Sequence, residues 1–95
     1  MRELPNTAER LYVIVRGDLP VGLACAQAIH AARIWRTNVE PTVVVLRCKR
    51  ERFPEALEWA GLRDSAVWRE PDLADEPTAL VVGEKPPRRF GDLLQ

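Results

Sequence analysis

Four residues of this chain combine types that can move a proton or hold an ester: Arg16, Asp18, Gln27 and His30. Imidazole titrates near neutrality and can exchange a proton with water at working pH. A glutamine amide donates and accepts, so it can orient an ester or a peptide. Gln27 and His30 are three positions apart, which on a helix puts them on one face, and Arg33 extends that polar stripe by another turn. Arg16, Gly17 and Asp18 follow the apolar run LYVIV. If that run is a strand, they stand at its carboxyl end, where ligands bind in open α/β sheets. Ordinary structural roles compete with each assignment. Asp18 stands two before Pro20, the spacing of a helix cap and an early-turn proline, and a cap is worth about 1 kcal/mol by itself. A lone histidine between Ile29 and Ala31 is more often hydrogen-bonded structure. What lifts Gln27 and His30 is their place on an alanine-rich helix that otherwise reads as buried, because buried polar groups require partners.

A second group is basic. Arg47, Lys49, Arg50 and Arg52 cluster after the second apolar run, and Lys85, Arg88 and Arg89 cluster near the C-terminus. Such runs are usually solvated faces, and only the fold can gather them into a phosphate track. Trp35, Trp59 and Trp68 have apolar neighbours that favour packing over base stacking. The acidic run Asp72, Asp75 and Glu76 reads as a solvated loop without the glycine or the length of a calcium loop.

Other chemistries find little material. The chain has 14 basic and 14 acidic residues, so no net field draws it to nucleic acid or an anionic membrane. Any RNA partner must be held by a local cluster. With one histidine and no CxxC, no metal site is expected. No phosphate-cradling glycine pattern or nucleophile elbow occurs, so no cofactor is expected either. Ser65 is the only serine and starts a predicted strand, while Cys25 and Cys48 fall inside apolar runs. If hydrolysis occurs, water is the nucleophile. The first nine residues are polar, with no apolar core of a signal peptide, and no stretch approaches the ~20 apolar residues of a membrane span. A soluble, reduced, cytoplasmic setting follows, with no membrane partner.

The elements that must position these residues read as follows. Leu11 to Val15 predicts a strand buried on both faces, hence central. Leu23 to Trp35 predicts a helix starting near Leu19 to Val21, and Asn38 to Pro41 a break. Thr42 to Cys48 predicts a second strand, parallel to the first across a right-handed crossover. Glu51 to Ala60 predicts an amphipathic helix presenting Phe53, Ala56, Leu57 and Ala60, closed by Gly61 as a cap. Ser65 to Glu70 and Thr78 to Gly83 predict an antiparallel pair joined by the loop Pro71 to Pro77. Pro86 and Pro87 open a last helical turn that Phe90, Leu93 and Leu94 can dock. With 46% apolar residues over 95 positions, one domain spanning 1–95 is expected, residues 1–8 forming a flexible N-terminus. A ferredoxin-like order would need β-α-β-β-α-β, which this sequence does not predict. An exposed sheet edge leaves a homodimer open.

The stretch YVIVRGDLPVGLACAQAIHAA, Tyr12 to Ala32, resembles the opening of type II peptidyl-tRNA hydrolases. These carry a hydrophobic strand, Arg-x-Asp-Leu, and a helix with Gln-x-x-His-Ala, present here as Arg16, Asp18, Leu19, Gln27, His30 and Ala31. The C-terminal half is similar to the divergent peptidyl-tRNA hydrolase domain-containing branch, through Trp68, Glu70, Pro71 and Thr78. The resemblance implies an α/β fold: a single three-layer domain, a mixed sheet of about four strands flanked by helices, in the order β-α-β-α-β-β-α. It implies cleavage of the ester between a peptide and the 3′ end of tRNA, with peptidyl-tRNA or tRNA as partner. His30, Gln27, Asp18, Thr78 and Glu70 are the implied catalytic group; Arg16, Gly22, Arg33, Lys49 and Arg50 the implied substrate-binding group. The family's glycine-lysine pair reads Gly22-Leu23 here, and a neutral leucine cannot hold a phosphate or an oxyanion. Its Asp-Ala-Gly segment is absent, leaving Glu70 or Asp72 nearest by position. The alternative to a hydrolase is a non-catalytic module on the same fold that binds tRNA, protein or a small ligand.

Overall fold

The computed structural model describes residues 10–35 and 42–93. The expected break at Asn38 to Pro41, the N-terminal segment before residue 9 and Leu94 lie outside the described residues.

The apolar, β-branched run at the start forms β1 (Arg10–Arg16), and the alanine-rich segment forms α1 (Val21–Ile34). Then come β2 (Thr42–Cys48), α2 (Phe53–Gly61), β3 (Ser65–Glu70), β4 (Glu76–Val82) and a two-residue β5 (Asp92–Leu93). The strands lie in the order β3-β4-β1-β2-β5, with β1 at the centre. β1 and β2 pair in parallel, and β4 runs antiparallel to both β1 and β3. The molecule is thus a small α/β domain built on a mixed sheet of four main strands and two helices.

Alternation along β1 and β4 divides the core in two. Leu11, Val13 and Val15, with Ala79 and Val81, face α1 through Ala24, Ala28 and Ala31. Those alanines recur at helical spacing and carry little bulk, so the helix backbone can lie close against the sheet. Ile14, Leu80 and Val82 face the other way, onto Phe53, Ala56 and Ala60 of α2 and onto Phe90. Cys48 joins this second cluster, and burial pushes its thiol up to about 11, so it stays neutral and packs as an apolar group.

Several elements depart from the sequence reading. The last helical turn is only a 3-10 turn, Arg88–Phe90, and it feeds β5 instead of a helix. Gly91 makes this possible, because a Cβ there would stand 2.9 Å from the Leu46 Cβ and 3.1 Å from the Arg47 carbonyl oxygen. A 3-10 turn at Arg50–Arg52 precedes α2, which begins at Phe53 with Pro54 in its first turn. Gly61 is the last helical residue and no glycine among the described residues has positive φ, so it is not a left-handed cap. The loop Pro71 to Pro77 contains a 3-10 turn, Pro71–Leu73, and β4 starts earlier than expected, at Glu76. Ala74 and Asp75 take left-handed φ to reverse the chain between them. Cys25 is exposed on the outer face of α1, not packed in an apolar run. No described helix is long and apolar enough to cross a membrane.

Candidate functional site

β1 ends in a tight turn onto α1. The Gly17 amide donates to the Cys48 carbonyl at 2.6 Å, and a Cβ on Gly17 would stand 2.7 Å from that same oxygen. Only glycine fits this approach. Arg47 braces the turn, donating from Nε to the Gly17 carbonyl (3.2 Å) and from a terminal nitrogen to the Leu19 carbonyl (3.0 Å). Asp18 does not cap the helix. Pro20 occupies the cap position, no side chain closes it, and the Asp18 carboxylate turns to Arg16 instead.

The structure sorts the sequence candidates into two clusters. The first lies on the α1 side. Gln27 is 1% exposed, with its carbonyl oxygen accepting from the Thr78 hydroxyl at 2.5 Å and its amide donating to Glu70 at 2.8 Å. The other Glu70 oxygen accepts the Asp72 backbone N–H at 3.2 Å. So α1, β4 and β3 each contribute one side chain to a single relay. Glu70 is held below the usual carboxylate range, first by the Gln27 hydrogen bond and then by the Asp72 amide. The Trp68 indole N–H and His30 add smaller electrostatic contributions, the indole without meeting hydrogen-bond geometry.

A strand irregularity places Thr78. Trp68 pairs with Ala79 but Arg69 pairs with Pro77, so Thr78 is an extra residue opposite that step. In a regular strand Thr78 and Ala79 would point to opposite faces. Here both address α1, as a bulge permits. Trp68 sits on the same side and stacks its ring on His30, with centroids 4.4 Å apart and planes 19° from parallel. His30 is half-buried, so one face is held by the indole and the core does not enclose it.

The second cluster lies on the α2 side, at the same end of the sheet. Arg16 donates to Asp18 at 2.7 Å and to Glu76 at 2.8 Å, while Arg50 approaches Asp18 at 3.8 Å. Burial works against the Arg16 charge, but the hydrogen bonds to Glu76 and Asp18 outweigh it and raise its pKa. A shallow pocket of about 240 Å³ joins Arg16, Arg50 and Glu76 to Phe53, Pro54 and Leu57. Glu76, the first residue of β4, is therefore an ion-pair partner of Arg16, and like Asp72 and Asp75 it stays exposed to solvent as the sequence reading expects.

The remaining candidates stand apart from both clusters. Gly22 is exposed, with open space around it, and Leu23 beside it is 37% exposed. Arg33 is exposed in the last turn of α1, and Lys49 is exposed just after β2. Sequence reasoning missed Glu76 as the partner of Arg16 and Trp68 as the platform for His30. The first left no periodic signal, since its partner is distant in sequence. The second was open to inspection, because Trp68 and Glu70 are two apart and share a strand face. Among the described residues no group of histidine, cysteine and carboxylate side chains could hold a metal ion.

No family model, no curated protein and no solved structure matches this chain.

Proposed function

We propose that this domain hydrolyses the ester between a peptide and the 3′ end of tRNA, with water as nucleophile. The observation that carries the reading is the Thr78–Gln27–Glu70 relay beside a half-exposed His30, drawn from three separate elements. With its oxygen held by Thr78 and one N–H held by Glu70, the Gln27 amide has one fixed orientation and a second N–H to offer a substrate carbonyl. Water adds to the ester carbonyl carbon, and the bond to the ribose 3′ oxygen breaks. His30 takes the proton from water and returns it to the departing ribose oxygen. Thr78 and Glu70 position Gln27, and Asp18, Arg16 and Arg50 hold the turn that launches α1. The type II peptidyl-tRNA hydrolase fold, three layers in the order β-α-β-α-β-β-α, belongs to the same proposal. Helix packing on both sheet faces supports it, while the short β5 in place of a terminal helix departs from it.

A second reading, a non-catalytic binding module, is favoured by the burial of Gln27 and by Leu23 standing where the family carries its lysine. Release of peptide from an N-blocked aminoacyl-tRNA separates the two. The hydrolase reading expects release by the wild type and a loss of about 100-fold or more in His30→Ala and Gln27→Ala. It also expects Leu23→Lys to raise turnover, since the site at Leu23 is open enough to admit the longer side chain. Wild-type protein that binds tRNA and releases nothing above buffer leaves the binding module as the function.

A further inference from the structure

On the face of the sheet away from α1, a groove of about 1090 Å³ runs between β2 and the segment leading to β5. Arg10, at the start of β1, and Gly17, just past its end, both line it, so it extends about 20 Å at the usual strand rise. Five cations border it: Arg10, Arg47, Lys49, Lys85 and Arg88. Among the residues whose side chains are described, 10–35 and 42–91, no carboxylate lines it. Arg47 is partly committed to the carbonyls of Gly17 and Leu19. The side chains of Arg10, Lys49, Lys85 and Arg88 make no ion pair among the described residues, whereas Arg16, Arg52, Arg63 and Arg89 all do. In a chain of zero net charge, local concentration of unpaired cations reflects placement and not composition.

We propose that this groove binds a single-stranded nucleic-acid segment, its phosphates following the row of cations and its bases resting on the apolar floor. The length excludes a lone phosphate as the fitting ligand, since one such group cannot meet cations spread over about 20 Å. The floor supplies the rest of the argument. Tyr12, Val44, Leu46 and Pro86 form it, and an aromatic ring among aliphatic side chains accepts a base of any sequence by stacking. A concave track bordered by cations and floored by apolar side chains suits an unpaired strand, which exposes base faces that a duplex keeps stacked. The proposal does not rest on the hydrolytic reading, because Gln27 and His30 belong to the other face of the sheet.

The test is fluorescence anisotropy of the full chain with a labelled 12-nucleotide single-stranded RNA, between 50 and 200 mM salt. Competitors are the same strand as a duplex and inorganic polyphosphate. Four phosphate contacts at about 0.7 each predict a log–log salt slope near −3. The double variant Lys85→Ala/Arg88→Ala should weaken binding at least tenfold at low salt and roughly halve the slope. Tyr12→Leu should weaken binding while leaving the slope unchanged, and Arg69→Ala, on β3, should change neither. Matching thermal melts establish that the variants fold. The proposal is overturned if the strand does not bind at 50 mM salt, or if the double variant leaves affinity and slope as they were. It is equally overturned if the duplex competes better than the strand, or if polyphosphate competes equally and Tyr12→Leu has no effect. A strand that binds normally to a protein without hydrolytic activity supports this proposal and removes the previous one.

Discussion

At one end of the sheet, two polar clusters sit on opposite faces and are built on different terms. On the α1 side, Thr78, Gln27 and Glu70 form a relay of two neutral groups and one carboxylate, with the neutral pair almost wholly buried. On the α2 side, Arg16 is shared between Asp18 and Glu76, with Arg50 nearby, and these carboxylates keep access to solvent. The ion-pair cluster neutralises itself and ties the end of β1 to the start of β4. The relay instead fixes the direction of one amide. That difference makes the first cluster a device that orients one side chain and the second a tie between strand ends, and each joins residues that are distant in sequence.

The sharpest way to break the contrast is to cut the relay. Gln27→Leu keeps volume but leaves the Thr78 hydroxyl, which is 0% exposed, without its acceptor. A buried donor stranded in this way costs about 1–3 kcal/mol, readable as a lowered urea midpoint. Thr78→Val should cost a similar amount by stranding the Gln27 oxygen. The double variant should cost less than the two singles together, because both ends are then apolar. Additive losses, or a negligible loss in either single variant, would mean that the relay is not a coupled unit.

The ion-pair cluster should respond more weakly. Asp18→Ala leaves Arg16 its bond to Glu76 and some access to water, so a loss of up to about 1 kcal/mol is expected. Salt should shrink that loss further, since partly exposed pairs are screened. An Asp18→Ala penalty larger than that of Gln27→Leu, and insensitive to salt, would reverse the assignment of roles.

How far these clusters were legible in the sequence depends on the range of the interactions that build them. Short apolar, β-branched runs placed β1 and β2, and alanine-rich helix propensity placed α1, each within a few residues, while β3 reads as a short strand from Ser65 to Glu70, because run length and composition are local properties. Helical spacing also put Gln27 and His30 on one helix face. The resemblance to a family singled out Thr78 and Glu70, which spacing alone could not have joined to Gln27 across 51 and 43 positions. The bulge that turns Thr78 toward α1 is a register event between two strands, and no pattern within one strand announces it. Asp18 was misread as a cap because cap spacing is local, while its competitor, the Arg16 guanidinium, wins through a charge-assisted hydrogen bond shaped by the turn. β5 went unseen for a similar reason. Two residues carry no period, and their pairing depends on the absence of a Cβ at Gly91.

The smallest effect expected also separates the clusters, because Glu70 belongs to only one of them. Glu70 is held below the usual carboxylate range by the Gln27 hydrogen bond, then by the Asp72 amide. Its folded state therefore releases the proton more readily than the unfolded chain, whose glutamate titrates near 4.5. The stabilisation from the ionised relay is fully present above that value and is lost as pH falls through the lower folded value. Thermal midpoints measured from pH 7 downward should accordingly stay level and then decline below about pH 4.5. Glu70→Gln keeps an acceptor for the Gln27 N–H but removes the titration, so its decline should be shallower than that of the wild type. Asp18→Ala leaves Glu70 in place and should retain the Glu70 part of the acid decline. If Glu70→Gln and wild type lose stability in parallel down to pH 3, the carboxylate contributes no charge to the relay, and Gln27 is oriented by Thr78 alone.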